Sequence, residues 1–202
     1  MRIAGGEFCG RTLFVPKSEA LRPTQDRVRE ALFSILQCEM AGAAFLDLFA
    51  GTGAVGLEAI SRGAASATFV EANARHLAPL KRNVSAMVAP VSRANIVKGD
   101  AYRYIASYHG PGFDIAFADP PYALGEEKGY ASVLAKLAER GVVKPGGLFV
   151  AEMTAVQRAE ETPGWDLLRD RSYGKTRICI WRRGPNTRAT MVCRRMQPTS
   201  ST

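Results

Sequence analysis

The chain has 202 residues and a mass of 21.9 kDa, enough to bury about 70% of its unfolded surface without disulfide or metal staples. At 47% apolar and 23% charged residues it reads as a folded domain, not as a disordered, collagenous or coiled-coil chain, and its apolar runs fall far short of the roughly 18 residues a membrane span needs. Twenty-seven Lys and Arg against nineteen Asp and Glu give a net charge of +8, which points to a polyanionic partner, because phosphate contacts release counterions and steer encounter.

Residues 1–40 read as an extension. Arg2–Gly6 and Arg11–Val15 are short strand-like runs around glycines and predict a hairpin or a pair of edge strands. Thr24 can cap a helix carrying Val28, Ala31, Leu32, Ile35 and Leu36 at helical spacing. From Ala44 onward the chain alternates. Strands are predicted at 45–49, 67–70, 95–97, 113–118 and 147–151. Helices are predicted at 54–62, from an Asn73 cap to about 87, after Asp100, and over 126–140 up to Gly141. That alternation calls for a parallel sheet with helices on both faces. Near the end, 165–172 and 176–182 flank Tyr173-Gly174-Lys175 and predict an antiparallel hairpin. Residues 41–183 thus form the main domain, and 184–202, rich in Pro, Thr, Ser and Arg, read as a loose basic tail. The segment from Arg182 onward holds five arginines and no acid.

Cys9, Cys38, Cys179 and Cys193 are scattered, with no C-x-x-C pair and neither His76 nor His109 nearby in sequence. No disulfide framework and no metal site is expected, and with no signal-peptide pattern at the N-terminus a reduced, cytoplasmic setting follows.

The first strand runs into Asp47-Leu48-Phe49-Ala50-Gly51-Thr52-Gly53-Ala54-Val55-Gly56. Glycines between a strand and a helix let a ligand approach the backbone and the free N–H groups of the helix start. Gly51, Gly53 and Gly56 fit the dinucleotide spacing, and Glu71 lies where a ribose-binding acid belongs. Asp47 argues for a different adenosine-bearing cofactor: a carboxylate repels a pyrophosphate but suits a sulfonium and an α-ammonium. S-adenosylmethionine fits that requirement. Glu71 can take both ribose hydroxyls, and Asp100 can accept the adenine amine. All three acids fall at successive strand ends, where open α/β sheets bind ligands.

The fourth strand ends in Asp119-Pro120-Pro121-Tyr122. Two prolines stiffen the loop and leave only carbonyls. The Asp119 carboxylate and the Pro120 carbonyl can hold the two N–H bonds of a nucleobase amine, freeing its lone pair for a methyl group, while Tyr122 stacks on the extruded base.

These motifs resemble those of class I S-adenosylmethionine-dependent methyltransferases acting on a nucleobase amine. The resemblance narrows to the bacterial small-subunit ribosomal RNA guanine-N2 methyltransferases, the RsmD family. Residues 2–7, 21–33 (Leu-Arg-Pro-Thr-Gln-Asp-Arg-Val-Arg-Glu-Ala-Leu-Phe), 46–53 and 119–122 carry it, and it spans nearly all of residues 1–183. It implies a Rossmann-like seven-stranded sheet in the order 3-2-1-4-5-7-6. It implies cofactor contacts from Asp47, Phe49, Ala50, Gly51, Thr52, Gly53, Glu71, Ala72, Asp100 and Ala101. The guanine would be handled by Asp119, Pro120, Pro121 and Tyr122, with Arg22, Pro23 and Thr24 brought over the pocket. Arg177 and Arg182 are the candidate RNA contacts, and the partner is 16S ribosomal RNA or a small-subunit assembly particle bound by a monomer. The tail after Arg183 departs from the family pattern. Adenine N6 in DNA or RNA is the competing target. An NAD-dependent oxidoreductase leaves Asp47 and the Pro-Pro loop unexplained, and a non-catalytic RNA-binding module makes the strand-end acids accidental. Cytosine C5 chemistry wants a cysteine after a proline, and none of the four follows one.

Overall fold

The computed structural model describes residues 1–16, 23–120, 122–159 and 161–185. Its elements are α1 (Pro23–Ile35), β1 (Ala44–Asp47), α2 (Ala54–Ser61), β2 (Ser66–Glu71), α3 (Ala74–Met87), β3 (Ala94–Lys98), α4 (Ala101–Ala106), β4 (Phe113–Ala118), α5 (Tyr122–Glu139), β5 (Val143–Thr154), β6 (Trp165–Tyr173) and β7 (Thr176–Arg183). The seven strands form one sheet in the order β3-β2-β1-β4-β5-β7-β6. Pairings from β3 through β5 are parallel, and β7 runs antiparallel to both β5 and β6. The expected fold class and strand order are both present.

Period-two alternation splits the core into two layers. Phe45, Phe69, Phe117, Val150, Ile178 and Ile180 face one side, packed with residues of α1, α2 and α3. Their neighbours Leu46, Val70, Ala116, Ala118, Phe149, Ala151 and Trp181 face the other, packed with α4 and α5. Strands covered on both faces read as continuous apolar runs, which is why β1, β2 and β4 were visible in the sequence.

Several boundaries differ from expectation. The N-terminal hairpin reduces to one antiparallel bridge, Arg2 to Thr12. Side chains of α2 take the donors a longer ladder would have used: Glu58 accepts from Ala4 N–H and Gly5 N–H, both at 2.9 Å, and Ser61 Oγ from Phe8 N–H at 2.8 Å. Residues Ile3, Phe8 and Leu13 then join the core layer of α1 to α3. Helix α1 starts at Pro23, a residue suited to the first helical position, so Thr24 lies inside its first turn. Of the apolar stripe expected there, Ile35 faces solvent and Phe33 is buried instead. Helix α5 begins four residues earlier than expected, which makes Tyr122 its first residue and not a loop residue.

Candidate active site

The carboxyl ends of β2, β1, β4 and β5 converge on one edge of the sheet. Asp47 pairs with Phe69 of β2 and Phe117 of β4, and Phe117 pairs with Val150 of β5. One step further, Ala118 pairs with Ala151, so Asp119 and Glu152 follow abreast on adjacent strands about 4.8 Å apart.

Asp47 is 1% exposed. One carboxylate oxygen, Oδ2, accepts from Gly56 N–H in the first turn of α2 at 3.1 Å. The other, Oδ1, is buried without a hydrogen-bond partner. Burial, reinforced by the charges of Asp119 and Glu71, pushes the Asp47 carboxyl up to about 7. A buried carboxyl with one unanswered oxygen suits a ligand that brings positive charge, and it fits the sulfonium and ammonium of S-adenosylmethionine.

The loop after Asp47 is shaped for close approach. Gly53 holds φ = 88°, a left-handed value that favours glycine, and a Cβ there would lie 2.5 Å from Leu80 Cδ1. At Gly56 a Cβ would lie 2.3 Å from the Phe69 ring, so its absence lets α2 close on β2. Phe49 meets Tyr102 edge to face at 6.2 Å, Ala50 N–H bonds to Val70 O, and Thr52 and Ala50 are buried. Asn83 of α3 fixes this loop from below: its amide donates to Thr52 O at 2.9 Å and Phe14 O at 3.0 Å, and its oxygen accepts from Phe14 N–H at 2.8 Å. Sequence reasoning missed Asn83, because an asparagine inside a helix carries no local signal of a long-range clamp.

Glu71 is oriented by two backbone donors, Gly51 N–H to Oε2 and Asn73 N–H to Oε1, each at 2.6 Å. Oε2 also lies 3.6 Å from His76 Nδ1, and the lone pairs that remain on the carboxylate can accept ribose hydroxyls. Ala72 sits between these contacts. Asp100 caps α4 by accepting from Arg103 N–H at 2.9 Å, with Ala101 buried behind it.

Asp119 is half-buried and Pro120 buried at the end of β4. Burial chiefly, and the Asp119 charge in addition, raises the carboxyls of Asp47 and Glu152 and the phenol of Tyr130, so Asp119 acts on β1, β5 and α5 alike. Arg22 and Pro121 lie outside the described residues, as do the side chains of Pro23, Thr24 and Tyr122; the structure places only the backbone of these last three. Glu39, just past α1, meets Arg182 near the amino end of β5. The first turn of α1 therefore points the other way, toward the carboxyl ends and the site.

The two candidate RNA-contact arginines are separated. Arg177 pairs with Met153 at the site end of the sheet; its guanidinium holds Asp170 at 2.5 and 2.6 Å and donates to Gln157 O at 2.7 Å. Arg182 pairs with Leu148 at the opposite end and binds Glu39 at 2.6 Å. The structure thus does not bring Arg182 to the pocket. A charge count along the sequence cannot distinguish the two ends of one strand. Burial and Asp170 push the Cys179 thiol up to about 12, which removes it as a thiolate nucleophile.

Comparison with known proteins places the chain. Residues 1–182 match the family described as "Conserved hypothetical protein 95". The chain is 36% identical over 186 residues to ribosomal RNA small subunit methyltransferase D of Escherichia coli, covering 91% of this chain and 90% of that one. The chain belongs to the RsmD family. The Haemophilus influenzae member is 32% identical over 175 residues, covering 86% of this chain and 89% of the relative. The solved structure of yhhF from Escherichia coli, a candidate methyltransferase, superposes with a TM-score of 0.80 at 34% identity, covering 92% of this chain and 99% of that one. RsmD-family membership makes the chain a methyltransferase by descent, with the sheet order that β7 and β6 complete.

Proposed function

We propose that the chain transfers a methyl group from S-adenosylmethionine to the exocyclic N2 amine of a guanine in small-subunit ribosomal RNA. The observation that carries this reading is the buried Asp47 carboxyl with its unanswered Oδ1, paired to Phe117 of β4 two residues before Asp119, the amine acceptor. Amine acceptor and cation acceptor share one space. Relatives bearing the small-subunit ribosomal RNA name over nine-tenths of the chain supply the substrate class.

The cofactor supplies an electrophilic methyl carbon on a sulfonium that leaves as a neutral thioether. Asp47 Oδ1 holds the cofactor's positive end, and Gly51, Gly53 and the start of α2 bring backbone within reach, with Phe49, Ala50 and Thr52 shaping the loop. Glu71 and Ala72 hold the ribose, and Asp100 and Ala101 hold the adenine edge. Asp119 and the Pro120 carbonyl each accept one N–H of the guanine amine, so that its lone pair points away from the ring plane. These acceptors stand where positive charge develops on nitrogen, and the released proton is held first at Asp119. Pro121 stiffens the turn, and Tyr122, at the start of α5, stacks on the base. The first turn of α1, with Arg22, Pro23 and Thr24, covers the pocket. Arg177, with exposed Arg171 and Lys175 around the β6–β7 turn, contacts the RNA backbone.

Incubation with labelled S-adenosylmethionine and separate pools of ribosomal RNA, assembled small subunits, transfer RNA and duplex DNA tests the reading, followed by mass spectrometry of the nucleosides. N2-methylguanosine from a small-subunit pool is expected; N6-methyladenosine, or no transfer to either small-subunit substrate, overturns it. Asp119→Ala should abolish transfer while S-adenosylmethionine affinity at pH 8, where Asp47 is already ionised, stays within about twofold, since the removed acceptor touches the amine and not the cofactor.

A further inference from the structure

Glu152 is an acid that neither the glycine loop nor the Asp-Pro-Pro-Tyr motif announces. It follows Ala151 on β5, directly abreast of Asp119, and pairs with Ile178 of β7. Residues alternate faces along a strand, so Glu152 shares the face of Val150 and Ile178, which is the face of Asp47's neighbours Phe45 and Phe117 and of α1. Its side chain therefore lies on that face, hydrogen-bonded to Thr176 of β7, on the strand next to Asp119. Its main-chain carbonyl is fixed by Tyr130 of α5, whose hydroxyl donates to it at 3.1 Å.

We propose that Glu152, abreast of Asp119 on the adjacent strand, is a substrate-contacting residue of the same site that reads the guanine edge next to the amine, at O6 and N1–H. The proposal rests on the guanine-N2 reading above. Burial, with the Asp119 charge beside it, pushes the Glu152 carboxyl up to about 8, against a hydrogen bond with Thr176 of β7 that acts the other way. Two carboxyls in one poorly hydrated space cannot both ionise cheaply. Glu152 is then the carboxyl that keeps its proton, leaving Asp119 as the acceptor.

Protonation state decides what Glu152 can recognise. A carboxylate accepts only; a carboxylic acid donates through one oxygen and accepts through the other. Guanine presents O6, an acceptor, beside N1–H, a donor, adjoining the N2 amine held by Asp119 and Pro120. A neutral carboxyl spans that pair with two hydrogen bonds. Adenine, placed with its amine in the same acceptors, offers only N1 and a C–H, hence one hydrogen bond.

The test compares Glu152→Gln and Glu152→Ala in the intact chain, with kcat and KM for the small-subunit substrate, the S-adenosylmethionine Kd and thermal unfolding. Glutamine reproduces a neutral carboxyl, with one donor and one acceptor. Glu152→Gln is expected to retain kcat/KM within about threefold. Glu152→Ala is expected to lose roughly 10–100-fold, as for two hydrogen bonds to a bound base, with unchanged cofactor Kd and a folded transition. An Ala variant as active as the wild type overturns the proposal, and so does a Gln variant as impaired as Ala, since that would demand an ionised carboxylate. If the wild type makes no N2-methylguanosine, the functional reading itself falls. If it makes that product and Glu152→Ala is indifferent, only the role of Glu152 falls.

Discussion

Raising the pH from 6 to 8 should tighten S-adenosylmethionine binding about tenfold, with proton release on binding that fades over the same interval. The perturbed group is Asp47, whose carboxyl burial pushes up to about 7. With that value, about nine-tenths of the molecules carry a proton on Asp47 at pH 6 and about one-tenth at pH 8. Binding a cation against the unanswered Oδ1 drives the pKa back toward the ordinary carboxylate range. The proton is then expelled: about 0.9 per site at pH 6, 0.5 at pH 7 and 0.1 at pH 8. Apparent affinity carries the same factor, close to 11-fold weaker than its limit at pH 6 and near the limit at pH 8, for a pKa of about 7. Isothermal titration calorimetry in buffers of different ionisation enthalpy measures the proton count directly. Asp47→Asn, which keeps the shape and removes the charge, should bind roughly 10–100-fold more weakly at pH 8 and lose the pH dependence. A flat wild-type affinity between pH 6 and 8, or the same proton release from Asp47→Asn, refutes the assignment.

Two further outcomes follow from contacts outside the pocket. Glu58 is wholly buried and holds the N–H groups of Ala4 and Gly5 together with Arg62 at 2.7 Å and Arg29 at 3.5 Å; Glu58→Ala leaves two backbone donors and the Arg62 guanidinium without their acceptor, Arg29 keeping Asp26 at 3.1 Å, and should cost about 3–5 kcal/mol in urea unfolding. Charge reversal of Arg171 and Lys175 together should weaken RNA binding with a reduced salt slope, whereas Arg182→Glu should leave the slope unchanged because Arg182 lies at the far end of β7.

What was legible in the sequence divides along physical lines. Apolar runs gave β1, β2, β4 and the middle of β5, since a strand buried on both faces writes itself as a continuous apolar run, while exposed β6 was found only through its hairpin with β7. The antiparallel placement of β7 showed through the Tyr173-Gly174-Lys175 turn, and the cap Asn73 was found because capping is local, whereas Asp100, read only as an adenine acceptor ahead of a helix, also caps α4. The start of α5 was placed late: Gly125 and the two prolines read as loop, while the helix already begins at Tyr122. Asn83, Glu58 and Glu152 were invisible for a different reason. Each acts on residues 22 or more positions away or across a sheet pairing, and a single chain of letters holds no record of such encounters. The split between Arg177 and Arg182 belongs to the same class, because only the register of β7 against β5 tells one end from the other.

The carboxyls at the strand ends set a cost on the fold that ligands relieve, and this gives a stability signature. Asp47 is raised from 3.8 to about 7 and Glu152 from 4.5 to about 8, both chiefly by burial. A carboxyl raised in the folded state binds its proton more tightly there than in the unfolded chain. Its contribution is therefore fully present in acid, and it is lost as the pH climbs through the folded value. The free protein should lose stability between about pH 4 and pH 8, by at most ~4 kcal/mol for Asp47 alone and ~5 kcal/mol for Glu152 alone at 1.36 kcal/mol per unit. The two losses do not simply add, since Asp119 couples them. S-adenosylmethionine places positive charge at Asp47 and should restore most of that group's share, so stabilisation by saturating cofactor must grow from pH 5 to pH 8. Urea unfolding with and without cofactor measures it. Asp47→Asn should flatten the lower part of the profile and Glu152→Gln the upper part. A free protein whose stability is constant or rises across this range would mean that these carboxyls are hydrated and ionised, and a hydrated Asp47 could not supply the unanswered oxygen on which the cofactor site depends.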